Sequence, residues 1–96
     1  MKSIMQDMEN ETWCYRCGSW RNLERHHVFG AAYRKKSERD GLVVYLCRSC
    51  HNEPPNGVHH NRQAMDELRR EGQIAWMEHY GKTVEDFVAA YGRSYL

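Results

Sequence analysis

Two cysteine pairs, Cys14-x-x-Cys17 and Cys47-x-x-Cys50, constrain this chain more than any other feature of its sequence. Such knuckles present four thiolates at the spacing of a tetrahedral zinc site, each pair turning around one ion and drawing distant segments together. The chain has 96 residues, so it forms one domain with little apolar interior, and a clamp is needed to stabilise it. Two disulfides would suit a secreted protein, but Met1 to Asn10 carries neither an apolar signal core nor a small-residue cleavage site. No apolar run reaches the roughly 20 residues of a membrane span. The expectation is therefore a cytoplasmic chain with no membrane partner, in which Cys14, Cys17, Cys47 and Cys50 hold one structural Zn2+.

The polar, unpatterned stretch 1–11 predicts a flexible N-terminal tail, mobile or loosely docked, leaving 12–96 as a single zinc domain. Leu23 to Phe29 predicts a short strand, with Gly30-Ala31-Ala32 as its exit into a basic loop. Asp40-Gly41 marks a turn, and the β-branched and aromatic run Leu42 to Leu46 predicts a second strand leading into the second knuckle. Cys47 to Asn52 opens a short helix, stopped by Pro54-Pro55 and Asn56-Gly57. A longer helical pattern runs from Asn61, a plausible N-cap, to Tyr80. Met65, Leu68, Ala75 and Trp76 lie broadly on one side, Gly72 is a weak point and Gly81 a stop. A last helix opens at Thr83 in a capping-box relation to Asp86, runs through Val84, Phe87, Val88 and Tyr91, and ends at Gly92. Their apolar stripes suit core packing better than a ligand groove. With no repeat, low-complexity stretch or linker, the fold class is α+β: a small zinc-bound finger followed by two C-terminal helices.

A formal net charge of +1 does not announce a nucleic-acid partner. The distribution says more, because Arg21, Arg25, Arg34, Lys35, Lys36, Arg39 and Arg48 all lie in the zinc-bearing half. That asymmetry permits a phosphate-binding face, for which Arg25, Arg34, Lys35, Lys36 and Arg48 are the candidate contacts. A solvated loop explains Arg34-Lys35-Lys36 equally well.

Zinc alone says little about function; the histidines narrow it. Glu24-Arg25-His26-His27 lies on the first predicted strand, His51 follows Cys50 directly, and His59 and His60 come shortly after. Phosphodiester hydrolysis with one metal needs an open-coordinated cation and a base that activates water, and imidazole serves both roles. A helix N-terminus nearby favours phosphate. Glu24 shares a strand face with His26 and either orients a ligand or is an exposed acid. Alternation sends His26 and His27 to opposite faces unless a bulge intervenes. His59 or His60 completes a metal shell across the Pro-Pro loop, or both are surface histidines.

Cys-x-x-Cys, then Glu-x-His-His, then Leu-Cys-x-x-Cys-His resembles the His-Asn-His (HNH) endonucleases over roughly Cys14 to His60. The ending Tyr-Gly-Arg-Ser-Tyr-Leu and the run Gly-Leu-Val-Val-Tyr-Leu-Cys are similar to small phage and prophage members of that group. The resemblance implies a treble-clef or ββα-metal finger, with His27 as general base and His26 and His51 as ligands of a catalytic metal; His59, eight residues after His51, is the candidate further ligand by its position. Glu24 stands beside His26 in the catalytic set. The family's middle asparagine has no counterpart, since Leu42 occupies its place, and Asp40 or a backbone group is the candidate substitute.

The expected function is thus a metal-dependent DNA endonuclease acting in the cytoplasm of a bacterial host, with a divalent catalytic ion (Mg2+, Mn2+, Ni2+ or Zn2+) besides the structural zinc. A homodimer, or a recombination or packaging protein, is the further partner to expect. A domain this small reads few bases, so sequence preference should be modest. Two other readings remain open: a non-catalytic treble-clef module binding DNA or a protein, and a phage recombination accessory nuclease active only on a nucleoprotein complex.

Overall fold

The computed structural model describes residues 2–96, and its sheet has two antiparallel strands, β1 (Leu23–His27) and β2 (Val43–Cys47). Leu23 faces Cys47 and His27 faces Val43, one residue opposite one throughout, so no bulge interrupts β1. Glu24 and His26 therefore share one face with Val44 and Leu46, which belong to the core, while Arg25 and His27 share the other with Tyr45.

Between the strands lie a 3-10 turn (Ala31–Tyr33) and helix α1 (Arg34–Asp40), where the sequence predicts a basic loop. The periodic signal is missing because α1 turns polar groups inward. Ser37 is fully buried; its hydroxyl donates to the Leu42 carbonyl at 2.6 Å and accepts from the Phe29 N–H at 3.2 Å. Helix α2 (Arg48–Asn52) follows β2 directly, α3 spans Arg62–Tyr80 and α4 spans Val84–Tyr91. Asn61 caps α3 through a 3.0 Å bond from the Ala64 N–H, and Thr83 forms a reciprocal box with Asp86 on α4. Gly72 serves contact more than it weakens α3: a Cβ there would stand 3.1 Å from Val28 Cγ1 and 3.2 Å from Phe29 Cε2. Among the described residues no helix is long and apolar enough to cross a membrane.

Of the stretch 1–11, expected as a flexible tail, mobile or loosely docked, residues 3–6 are docked on β2 and the turn before it. The Ile4 N–H donates to the Gly41 carbonyl (2.9 Å), the Ser3 hydroxyl to the Val43 carbonyl (2.5 Å), and buried Gln6 accepts from the Tyr45 N–H (2.9 Å). The Tyr15 N–H occupies the Tyr45 carbonyl at 2.8 Å. These are side-chain and main-chain hydrogen bonds without an apolar stripe, which is why composition alone reads as a tail.

An aromatic group fills the other side of the core. Phe29 packs 4.8 Å from Tyr91, 5.5 Å from Phe87 and 5.7 Å from Tyr95, and Trp76 packs 5.4 Å from Phe87. Asp40 is set into this group. Its Oδ2 accepts from Trp76 Nε1 (3.0 Å) and from the Tyr91 hydroxyl (2.7 Å), Arg39 donates to Oδ1 (3.0 Å), and Tyr80 donates to its main-chain carbonyl (2.8 Å). One carboxylate thus joins α1, α3 and α4. Burial opposes its charge, but the bonds from Arg39, Tyr91 and Trp76 outweigh burial and hold its pKa below the ordinary 3.8. Because the folded value is the lower one, its contribution to stability is present above 3.8 and is lost as pH falls through the folded value. Asp40→Ala leaves a buried indole N–H and a phenol without an acceptor, and should lower unfolding free energy by about 2 to 3 kcal/mol. Urea denaturation of the metal-loaded protein at neutral pH measures this; an unchanged midpoint would show that α1 and the aromatic group are held by other means.

Candidate functional site

Cys14 and Cys17 lie in the turn before β1, Cys47 ends β2, and Cys50 lies in the first turn of α2. The first knuckle is closed by Gly18 N–H donating to the Cys14 carbonyl (2.9 Å) and Cys14 N–H donating to the Ser19 carbonyl (2.7 Å). In the second, Cys50 N–H points at the Cys47 sulfur at 3.4 Å. All four thiols are free, and their sulfurs fall within 4.8 Å of one another, with Cys17 and Cys47 at 3.6 Å. A tetrahedral zinc–thiolate site sets its sulfurs about 3.8 Å apart. The four cysteines therefore form a cluster fit for a structural metal such as zinc.

Their protonation points the same way. Burial opposes the Cys14 thiolate, yet backbone N–H groups of Cys47, Cys17 and Arg16 outweigh it and bring the pKa down to about 7. Burial and the sulfurs of Cys17 and Cys47 push Cys50 far up. Four crowded sulfurs do not all ionise unless a cation takes the place of their protons.

A second cluster adjoins the first through α2. His26 projects from the core face of β1, His51 directly follows Cys50 in α2, and His59 sits on the loop returning towards α3; one ring nitrogen of each lies within 4.8 Å of the others. The loop is set by main-chain bonds: Val58 N–H to the Cys50 carbonyl (2.8 Å) and His59 N–H to the His51 carbonyl (3.2 Å). Gly57 makes this return possible, since a Cβ there would come within 2.6 Å of the Glu53 nitrogen. The Nε2 atoms of His51 and His59 stand 3.2 Å apart, near the 3.0 to 3.4 Å expected of two nitrogens about 2.1 Å from one ion.

Glu24 sets the tautomer of His51. Its Oε1 lies 2.6 Å from His51 Nδ1, and since a carboxylate only accepts, Nδ1 carries the proton and a neutral His51 presents a lone pair at Nε2. This carboxylate–imidazole arrangement is the one that orients metal ligands. His26 supplies the fit test. Its Nε2 is the buried side-chain nitrogen or oxygen found without a hydrogen-bond partner among the described residues. Burial first, then the imidazoles of His51 and His59, lower the His26 pKa to about 3, and burial with His51 and His60 also lowers His59. Two imidazoles biased towards the neutral form and a third with its tautomer set by Glu24 make a donor set suited to a divalent ion.

The remaining candidates divide. His27 lies on the opposite face of β1, with Nε2 at 2.9 Å from Glu38 Oε1, and His60 is exposed and outside the cluster. Arg25 is bound to Glu38 through both carboxylate oxygens. Lys36 is turned away from solvent phosphate, donating to the Ala90 carbonyl in the last turn of α4 at 2.6 Å. Arg34, Lys35 and Arg48 are exposed. Leu42 is fully buried and Asp40 is committed to Trp76 and Tyr91, so Asp40 is not free to act as the substitute expected of it.

Two residues went unread in the sequence. Arg69 of α3 donates to the Val28 carbonyl at 3.4 Å, and its charge acts on both His26 and His59. Its signal is a cation placed among the inward positions Met65, Leu68 and Gly72. Glu38 belongs to the helix read as a loop and gave no signal. Comparisons with protein-family models, curated proteins and solved structures gave no match.

Metal titration separates the two clusters. With excess divalent metal the chain should bind two ions. His51→Ala should retain the thiolate-bound one alone, Cys50→Ser should lose that ion and the fold, and Glu24→Ala should weaken the histidine site about 10- to 100-fold. Cobalt spectra with elemental analysis read both sites, and a His51→Ala protein that still holds two ions would remove the histidine cluster as a metal centre.

Proposed function

We propose that this chain is a metal-dependent DNA endonuclease of the His-Asn-His kind, built on a treble-clef, ββα-metal finger whose four cysteines hold a structural Zn2+. The observation that carries the reading is the convergence of His26, His51 and His59 around one point, with His51 oriented by Glu24 and adjacent to Cys50. A structural clamp and an imidazole donor set separated by one peptide bond match the division of labour that one-metal phosphodiester hydrolysis requires.

His26, His51 and His59 would hold a divalent ion such as Mg2+, Mn2+, Ni2+ or Zn2+, which would supply Lewis-acid stabilisation of the charge that develops in the reaction. Neutral His27 accepts the proton of the attacking water as its oxygen bonds to phosphorus. The bond from phosphorus to the 3′-oxygen breaks, its electron pair leaves with that oxygen, and a solvent proton completes the 3′-hydroxyl; the other end keeps a 5′-phosphate. Arg69, a fixed cation near His26 and His59, opposes the anionic phosphate. Arg34, Lys35 and Arg48 are free to meet the flanking backbone without reading bases.

One observation favours the rival reading, a non-catalytic zinc module that binds DNA or a protein partner: the unbulged β1 sends His27 to the face opposite His26. Plasmid nicking across divalent metals distinguishes them. Wild type should nick in Mn2+, and His27→Ala should reduce the rate by about 100- to 10,000-fold while leaving zinc content and helical signal unchanged. Full activity in that variant removes His27 as the base. A wild type that binds DNA yet cuts in no metal establishes the module.

A further inference from the structure

We infer that Glu38 is the positioning residue for His27, holding its ring in one tautomer with the proton on Nε2 and the lone pair on Nδ1. The catalytic consequence rests on the nuclease reading above; the geometry does not.

Glu38 Oε1 lies 2.9 Å from His27 Nε2. A carboxylate has no proton to give, so the short contact requires the hydrogen on Nε2, and a neutral ring then exposes its lone pair at Nδ1. The His27 side chain is only 15% exposed, so it has little freedom to turn away from this partner. Arg25, two residues earlier on the same strand face, donates to both Glu38 oxygens, Oε2 at 2.7 Å, and fixes the plane of the carboxylate. The Arg25 guanidinium also stands 3.5 Å from His27 Nε2, but two donors do not bond each other, and with the proton of Nε2 given to Glu38 at the shorter distance this approach is a contact only.

The helix that presents Glu38 is anchored on both sides of it. Ser37 is bonded to the main chain of Phe29 and Leu42, and Asp40 to Trp76 and Tyr91. Leu42, at the place where the resembled family carries asparagine, offers no polar group, and Asp40 is committed elsewhere. Among the described residues Glu38 is thus the acidic group that can set the ring. When His27 takes the proton of water on Nδ1, the Nε2–H stays bonded to Glu38, which keeps its charge and stabilises the imidazolium formed.

Long-range proton–nitrogen correlation spectra of isotope-labelled histidine in the zinc-loaded full chain read the tautomer directly, with His27→Ala assigning the signal. Wild type and Glu38→Gln, whose amide oxygen still accepts from Nε2–H, should show the Nε2–H form. Glu38→Ala should average the two tautomers with fold and zinc content intact. In parallel, Mn2+-dependent nicking should fall about 10- to 100-fold in kcat for Glu38→Ala, with KM nearly unchanged, and recover in Glu38→Gln. A wild-type ring protonated at Nδ1, or a tautomer unmoved in Glu38→Ala, overturns the inference even if the protein cuts DNA. A tautomer that follows Glu38 in a protein with no cleavage supports the positioning role and defeats the nuclease reading instead.

Discussion

Everything in this molecule depends on four sulfurs meeting where the turn before β1, the end of β2 and the start of α2 come together. A two-stranded sheet and a five-residue helix have little cohesion of their own. A metal held by the four cysteines would join them and fix the direction in which α2 leaves β2, and His51 leaves with it. The relative position of His51 and His26 is therefore a property of the thiolate cluster, and damage to either knuckle reaches the histidines without touching them.

Strand alternation then gives each face of β1 its own pairing of a histidine with an acid. On the core face Glu24 accepts from Nδ1 of His51 and frees Nε2; on the other, Glu38 accepts from Nε2 of His27 and frees Nδ1. The same contact between an acceptor-only carboxylate and an imidazole prepares opposite ring nitrogens. That asymmetry suits one ring to holding an ion and the other to taking a proton.

The sequence was legible where a local rule carries the structure. The knuckle spacing, the Asn61 cap, the Thr83 and Asp86 box, and the stops at Gly81 and Gly92 each involve residues a few positions apart, and each has its counterpart in the fold. What escaped is held by contacts distant in sequence and polar in kind. Helix α1 shows no apolar period because Ser37 and Asp40 are its buried side, and Asp40, readable as half of a turn, works as an acceptor for Trp76 and Tyr91. The N-terminal stretch has the composition of a tail and the hydrogen bonds of a docked segment. At the site, imidazoles could be grouped by their nearness to the knuckles, but Glu38 and Arg69 reach it from helices whose docking no motif announces.

The docking of residues 3–6 bears on how copies of this chain can meet. With Ser3 on the outer Val43 carbonyl, and Gln6 and Tyr15 on the outer N–H and carbonyl of Tyr45, the middle of β2 offers no open ladder to a neighbouring molecule. Joining sheets through that strand, a common way for small β-containing domains to aggregate or pair, is closed to it while the segment stays in place.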